Sequence, residues 1–161
     1  MKQKKSIIII LVLGLTTLLS CAPKEQDRSE ALRKDIMGEW RNVYLKVTTN
    51  VFGPVDSARV TECDSTNWEK MLGIKPIRTF FLPDGTYRSE YYNLKDSLFM
   101  TNTGVWKISR DSLTMEQLQP KAAAYKVRTN VTNGLAEFDG IIDFDNDGRA
   151  DDHYQGKQRK Q

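Results

Sequence analysis

The sequence contains few of the residues on which most catalytic and metal sites depend, with two cysteines and one histidine in 161 residues. It has no Cys-x-x-Cys pair and no His-Glu-x-x-His motif, the arrangements that commonly bind zinc. It also lacks a Gly-x-Ser-x-Gly nucleophile elbow and a glycine-rich phosphate loop. We therefore expect a protein that is not an enzyme, and we interpret the single histidine, His153, as a solvated hairpin residue.

Most of the chain also lacks an excess of charge of either sign. The whole sequence has 24 Lys and Arg against 21 Asp and Glu, and its net charge is +3. Three of the lysines, Lys2, Lys4 and Lys5, lie in the first twenty residues, which contain no acidic residue. The remaining residues are therefore neutral overall and form no basic stripe, so nucleic-acid binding is not expected.

The first twenty residues have the three parts of a bacterial export signal. A lysine-rich start precedes the apolar run Ile7–Leu19. At about thirteen residues this run is too short for a ~30 Å hydrocarbon core, but it suits a signal peptide. The following Leu18-Leu19-Ser20-Cys21 resembles the lipobox of bacterial lipoproteins. We predict a lipoprotein signal over residues 1–20 and a lipid on the thiol of Cys21; the alternatives are a plain secretory signal or an uncleaved anchor.

This signal predicts a protein of the cell envelope that is tethered to a membrane through Cys21. The outer membrane is the expected one, and both its periplasmic face and the cell surface stay open as locations. Residues 21–28 are polar without apolar periodicity, which indicates a flexible tether, and residues 29–161 form the domain. With Cys21 lipidated, Cys63 has no internal disulfide partner, and we expect it to be a buried thiol.

The pattern of the domain changes from helical to extended near Gly38. Ser29 can cap a short helix over Ser29–Met37, in which Leu32 and Ile36 share a face. Beyond it, apolar and polar residues alternate with a period of two. The predicted strands are Val43–Val47, Arg59–Cys63, Ile77–Leu82, Thr86–Tyr92, Leu98–Thr101, Gly104–Ser109, Ser112–Gln117, Ala124–Thr132, Leu135–Phe144 and Asp152–Gln158. The segment Thr66–Lys75 is a helical turn or a lid.

Turn residues separate these strands. Asp84-Gly85, Asn133-Gly134 and Asp147-Gly148 tolerate a positive φ and favour two-residue hairpins, and Arg110-Asp111-Ser112 is a further reversal. Connections this short join antiparallel strands, because parallel strands need long crossovers. Closing the sheet removes its exposed edges. We predict an all-β domain, an antiparallel up-and-down β-barrel of about eight strands with a short N-terminal helix.

The start of the first strand and the end of the last strand resemble the lipocalins and their calycin relatives. In that family Gly-x-Trp opens the first strand and a cation lies late in the last one; here these are Gly38-Glu39-Trp40 and Arg159. The resemblance implies that Trp40 closes one end of the barrel and that the guanidinium of Arg159 lies across its indole. Such a contact gains ~0.5–2 kcal/mol.

The middle of the chain is similar to short lipocalin-like lipoproteins of Bacteroidota. The motifs are Phe81-Leu82-Pro83-Asp84-Gly85-Thr86-Tyr87, Gly104-Val105-Trp106-Lys107-Ile108 and Asp111-Ser112-Leu113-Thr114. The loop after the first strand departs from the large secreted lipocalins because it lacks their Thr-Asp-Tyr triplet, so their retinoid-type ligands are not carried over. We interpret several aromatic residues as core or rim packing: Trp40, Trp106, Phe80, Tyr87 and Tyr91.

Two classes of function fit such a barrel. The first is a non-enzymatic binding module that holds a small apolar ligand in the barrel, since an eight-stranded barrel has room for about one. The second is a structural or protein-interaction subunit of an envelope complex, with a filled barrel. An apolar cavity would favour the first, and a filled interior with an exposed apolar patch would favour the second.

An acidic segment near the C-terminus resembles a calcium loop. Carboxylates at positions one, three, five and nine, with glycine at six, start like an EF-hand, but Tyr154 replaces the bidentate Glu of position twelve. The segment is more similar to the Asp-rich hairpin loops of FG-GAP repeats, which bind Ca²⁺. That resemblance implies the ligands Asp143, Asp145, Asp147 and Asp151 and the carbonyl of Arg149. The alternative is a hairpin turn with a hydrated acidic tip.

Overall fold

The computed structural model describes residues 22–53 and 58–161. The predicted signal over residues 1–20 and the predicted lipidation site Cys21 lie outside these residues. Within the described ranges, neither helix has the length and apolar character needed to cross a bilayer.

The domain consists of nine strands and two short helices in the described residues. Their bounds are α1 Ala22–Ile36, β1 Gly38–Thr49, β2 Arg59–Asp64, α2 Trp68–Leu72, β3 Arg78–Phe81, β4 Thr86–Tyr92, β5 Leu98–Ser109, β6 Ser112–Gln119, β7 Ala123–Thr132, β8 Leu135–Ile142 and β9 Asp152–Lys160. Buried and exposed positions alternate along most strands, as the period of two predicts. The helical turn predicted within Thr66–Lys75 is α2.

The sheet closes on itself. Each strand from β3 to β8 pairs antiparallel with the next, and β1 pairs with both β3 and β9. The pairing of Trp40 with Lys160 and of Thr48 with His153 joins the first strand to the last along nearly their whole length. Eight strands, β1 and β3–β9, therefore form a closed antiparallel barrel, which confirms the predicted fold class.

Two strands, β2 and β3, share one edge of β1, and each pairs with a different part of it. β2 pairs with Tyr44–Thr49 of β1, and β3 pairs with Gly38–Arg41 on the same edge. The chain leaves this edge between β2 and β3 to form α2. Trp68 of α2 is 1% exposed and packs with the buried residues Leu45 and Cys63. The helix therefore fills the place where the wall is interrupted.

The connections between strands lie at two ends of the barrel. Residues 82–85, 110–111 and 133–134 connect strands at one end, the closed end. The connections at residues 93–97, 120–122 and 143–151, together with residues 50–53 after β1, lie at the other end, the mouth. At the Asn133-Gly134 turn both residues have positive φ, 50° and 70°, as a two-residue hairpin requires.

Helix α1 lies across the closed end. Its Arg33 donates to the carbonyl of Pro83 at 3.0 Å, and its Ser29 donates to the carbonyl of Arg110 at 3.3 Å. Ile36 is completely buried in the core. The helix begins at Ala22, within the segment predicted as a tether, so the predicted start at Ser29 is wrong. The residues before Ser29 include Glu, Gln and Arg, which are good helix formers.

Two predicted strand boundaries are also wrong. The predicted strands Leu98–Thr101 and Gly104–Ser109 form one continuous strand, β5. Gly104 is not in a turn: a Cβ there would lie 2.0 Å from the carbonyl oxygen of Glu116, so glycine allows β6 to approach. At the mouth, Asp147-Gly148 is not a two-residue hairpin, because β8 ends at Ile142 and β9 begins at Asp152.

Candidate functional site

The inner surface of the mouth half, which we call the lumen, is lined by partly accessible side chains. Cross-strand pairing places Tyr91 opposite Met100, Ser89 opposite Asn102, and Met115 opposite Tyr125. Paired residues share a face of the sheet, and buried Ser89 fixes that face as the inner one. The partly accessible lumen residues are Tyr91, Met100, Asn102, Met115, Tyr125 and Tyr154.

The closed end is packed around three buried side chains. The inward-facing Trp40 and Ala136 have no exposed surface, and Leu113 is 1% exposed. Ile108 and Val131, which pair with Leu113 and Ala136, are partly accessible. The partly accessible lumen residues nearer the mouth indicate an interior space that opens there.

Four tyrosines converge on this space from three strands. Tyr87 and Tyr91 belong to β4, Tyr125 to β7 and Tyr154 to β9. Burial raises the pKa of Tyr91 and of Tyr154 to about 12, and the phenolate of Tyr91 would repel that of Tyr154. Burial also raises the pKa of Tyr87 and of Tyr125. These phenols therefore remain neutral and can donate hydrogen bonds at any physiological pH.

Gly156 determines where the Tyr154 hydroxyl lies. A Cβ at Gly156 would be 2.3 Å from that oxygen and 2.7 Å from the ring carbon that bears it. The Tyr154 ring therefore covers the inner surface of Gly156 and directs its hydroxyl along β9 towards Gln158. Its ring also stacks on Phe144 at the mouth, with centroids 6.4 Å apart.

Polar side chains form a band between Tyr91 and the closed end. Gln158 Nε2 donates to Asn42 Oδ1 at 3.2 Å, and the hydroxyls of Thr79 and Ser89 are 3.0 Å apart. Asn102 Nδ2 donates to the Tyr91 hydroxyl at 3.3 Å. The lumen is therefore aromatic and polar, whereas the sequence analysis took an apolar cavity as the feature that would favour a binding module.

At the closed end a lysine, not Arg159, lies on Trp40. Lys160 Nζ is 5.3 Å from the centroid of the Trp40 ring, and the indole donates to the carbonyl of Ile36 at 2.6 Å. Arg159 pairs with Arg41 and lines the outer face. The prediction that Arg159 contacts Trp40 is therefore wrong, and Lys160 takes that place. Neighbouring residues of a strand point to opposite faces, so only one of the two cations can lie on Trp40.

A second cation–indole contact at this end was not predicted. The guanidinium of Arg33 in α1 lies 5.3 Å from the centroid of the Trp106 ring. The Trp106 indole donates to the carbonyl of Leu82 at 3.1 Å. Because Arg33 comes from the helix and not from a strand, no strand pattern could have indicated it.

The acidic β8–β9 loop brings together some of its predicted ligands. Carboxylate oxygens of Asp143, Asp145 and Asp152 lie within 4.8 Å of one another, whereas Asp147 is not in this group. Asp147 instead accepts from the backbone N–H of Arg149 at 2.8 Å. The sequence did not predict Asp152 as a member.

Asp152 organises the mouth. It is completely buried, and its carboxylate accepts the backbone N–H groups of Asn50, Phe144 and Asp145 at 3.1, 2.8 and 3.1 Å. It therefore connects the β1–β2 loop to the β8–β9 loop. Nearby, burial raises the pKa of Asp151, and the charges of Asp147 and Asp152 raise it further. The loop thus carries negative charge that a cation could neutralise.

The outer face of β7, β8, β9 and β1 is polar and ion-paired. It forms an open groove with a volume of about 910 Å³. Lys157 and Glu137 form an ion pair of 2.8 Å in this groove. His153 lies on the same face, 3.1 Å from Asp139. His153 is therefore separate from the lumen. Cys63 is 1% exposed, and burial raises the pKa of its thiol, which disfavours the reactive thiolate.

Comparison of the sequence with protein-family models gives no match, and comparison with curated proteins gives none either. Among solved structures, the chain is similar to a lipocalin-like protein from Bacteroides uniformis, with 11% sequence identity and a TM-score of 0.49. The alignment covers 79% of this chain and 99% of that chain. The fold of this chain is defined by its own strand pairing, a closed antiparallel barrel.

Proposed function

We propose that this protein is a non-enzymatic binding module that holds one small molecule in the lumen. The observation that carries this proposal is the set of partly accessible, inward-facing aromatic and polar side chains in the mouth half of the barrel. An eight-stranded barrel has room for about one small ligand. Aromatic faces combined with a few polar groups are typical of such sites.

Native mass spectrometry of the purified protein tests this proposal. We expect a co-purified small molecule that is released on denaturation. Met100→Trp should fill the lumen and reduce the occupied fraction at least about tenfold, since overpacking a site costs ~1–3 kcal/mol. Val105→Trp, on the outer face of the same strand, is the matched control. Equal occupancy in both variants would place the ligand outside the lumen.

The alternative is a protein-interaction subunit that uses the rim of the mouth. Most of the large apolar side chains that are exposed in the described residues lie on mouth loops or on strand ends beside them: Phe52, Val60, Leu94, Leu98, Phe99, Leu118 and Phe144. A ligand-free protein that Met100→Trp destabilises by ~1–3 kcal/mol, as overpacking of a filled interior does, would support this alternative.

We propose that the protein is tethered to a membrane of the cell envelope through a lipid on Cys21. The lipobox-like sequence before that residue supports the tether. Cys21→Ser should prevent acylation and leave the protein either uncleaved or soluble. A Cys21→Ser protein that is processed like wild type and still sediments with membranes after a carbonate wash would contradict this proposal.

We also propose that the β8–β9 loop binds Ca²⁺ at the mouth. Its support is the cluster of Asp143, Asp145 and Asp152, and the buried oxygens Asp143 Oδ1 and Asp151 Oδ1, which have no hydrogen-bond partner in the described part of the chain. Carboxylate oxygens are the ligands that Ca²⁺ prefers. The affinity should be modest, ~10⁻⁴–10⁻³ M, as in extracellular modules.

Calorimetry at millimolar Ca²⁺ and melting with and without EDTA test this site. Asp143→Asn should abolish both the heat of binding and the thermal shift. Asp96→Asn, in the β4–β5 loop of the same end, should change neither. A thermal shift that survives Asp143→Asn would leave the loop as a turn with a hydrated acidic tip.

A further inference from the structure

Two buried polar atoms of the lumen and its floor have no partner in the described part of the chain. They are Gln158 Oε1 and Asn102 Oδ1. Gln158 is 8% exposed, so its side chain cannot turn to bulk water. Buried polar groups in native proteins are nearly always hydrogen-bonded. A partner for these atoms must therefore come from inside the barrel.

The Tyr154 hydroxyl and the Gln158 amide are neighbours on the inner face of β9. Tyr154 packs against both buried clusters of the barrel, one containing Trp68 and the other lining the closed end. Its hydroxyl lies over Gly156, and Gln158 is the next inward-facing residue of β9, about 7 Å further along the strand. One molecule entering from the mouth can therefore reach the Tyr154 hydroxyl and the Gln158 amide together.

The unpartnered groups include donors as well as acceptors. The hydroxyls of Tyr87, Tyr125 and Tyr154 form no hydrogen bond with any described residue, and each can donate or accept. Gln158 Oε1 and Asn102 Oδ1 can only accept. This combination fits a ligand group that both donates and accepts, such as a hydroxyl.

The charges of the lumen exclude an anion as the preferred ligand. Among the described residues, the inward-facing positions of the mouth half carry no Lys or Arg. The carboxylate there, Asp152, already accepts three backbone N–H groups. An anion buried in this space would lose its hydration without gaining a counter-charge.

We infer that the lumen binds an uncharged amphipathic molecule, an apolar ring or chain that carries a hydroxyl-like group. The apolar part lies among the tyrosine rings and methionines near the mouth. The polar group points to the floor, where it donates to Gln158 Oε1 and accepts from the Tyr154 hydroxyl. This inference rests on the proposed function and adds the chemical class of the ligand.

Three probes of the same size test the inference: 2-naphthol, 2-methylnaphthalene and 2-naphthoate. We expect 2-naphthol to bind at least about fivefold more tightly than 2-methylnaphthalene, as one additional net hydrogen bond allows. The charged 2-naphthoate should bind at least about tenfold more weakly than 2-naphthol. Fluorescence titration of the probes with purified wild-type protein measures all three affinities.

Two lumen variants and one surface variant locate the hydroxyl. Gln158→Leu should remove the preference for 2-naphthol over 2-methylnaphthalene, and Tyr154→Phe should reduce it if Gln158→Leu does not fold. Gln155→Leu makes the same change on the outer face of β9 and should leave the preference intact.

The outcomes separate the inference from the proposed function. If no probe binds and Met100→Trp has no effect, the binding module itself is contradicted. If 2-methylnaphthalene binds as tightly as 2-naphthol, or if the preference persists in both lumen variants, the lumen binds but the inferred polar contact is overturned. Internal water would then be the partner of Gln158 and Asn102.

Discussion

Lys160 closes the barrel over Trp40. Its ammonium lies 5.3 Å from the centroid of the indole ring and donates to the carbonyl of Asp35 at 2.8 Å. The same lysine stem lies 3.0 Å from the Cβ position of Gly38. One side chain from the end of β9 therefore contacts the first strand and ties α1 to the closed end.

The Trp40–Lys160 contact gives the first prediction. Trp40→Ala should destabilise the protein by ~3–5 kcal/mol, because it removes a completely buried indole. Lys160→Ala should cost about 0.5–1 kcal/mol. The two changes should be non-additive in a double-mutant cycle measured by denaturant unfolding. Arg159→Ala is the matched control: it should cost no more than about 0.5 kcal/mol and add to Trp40→Ala. Coupling to Arg159 in place of Lys160 would contradict this structure.

The contact between Tyr154 and Gly156 gives the second prediction. Gly156→Ala should destabilise by ~1–3 kcal/mol, because its methyl group would overlap the Tyr154 phenol. The φ of Gly156 is not in the left-handed region, so the cost comes from the overlap and not from the backbone. In a Tyr154→Phe background the cost should fall. Thermal unfolding of the four proteins tests this, and an equal cost in both backgrounds would exclude the hydroxyl as the group that the methyl overlaps.

The tyrosines of the lumen predict a loss of stability at high pH. Burial raises the pKa of Tyr154 and of Tyr91 from about 10 in the unfolded chain to about 12. The folded state therefore favours the neutral phenols. Their contribution is complete below pH 10 and is lost as the pH rises towards 12. For Tyr154 we expect a loss of ~1–3 kcal/mol over that window.

Denaturant unfolding between pH 9 and 12 measures this loss. Tyr154→Phe should be destabilised less than wild type as the pH rises, since it has one ionisable phenol fewer. Parallel curves for the two proteins would show that Tyr154 titrates normally.

The buried carboxylate of Asp152 gives the fourth prediction. Asp152→Asn should destabilise by ~2–4 kcal/mol, because an NH₂ group would replace an oxygen that accepts backbone N–H groups. Asp139→Asn, on the outer face, should change stability by no more than about 0.5 kcal/mol. Unfolding in EDTA removes any contribution of bound metal. Equal effects of the two changes would show that Asp152 does not hold the mouth loops.

The sequence predicted the barrel because its information is local and periodic. The alternation of apolar and polar residues identifies strands, and Asn133-Gly134 fixes a hairpin through the φ values its two residues tolerate. The sequence predicted a break between Thr101 and Gly104, whereas one strand, β5, runs through both residues. The reason for a glycine at position 104 is the close approach of β6, and a contact between strands is not visible in a single sequence.

The candidate site was predicted less well because it depends on which face each residue takes and on contacts between distant elements. Arg159 and Lys160 are equivalent as cations in the sequence, and only the register of β9 with β1 selects Lys160. Asp152 belongs to the acidic segment in the sequence, but its backbone partners come from two different loops. Trp68 reaches the interior only because the wall is interrupted between β2 and β3.

The pairing of β1 with β9 has a consequence for how the chain must be made. The barrel cannot close until the last strand is available, since β9 is the partner of both β1 and β8. A chain truncated before Asp152 would leave two long open edges with unpaired backbone groups. Such edges recruit further copies of the chain. Fragments that lack the final segment should therefore accumulate as aggregates, whereas a circularly permuted chain that keeps all nine strands should still be soluble.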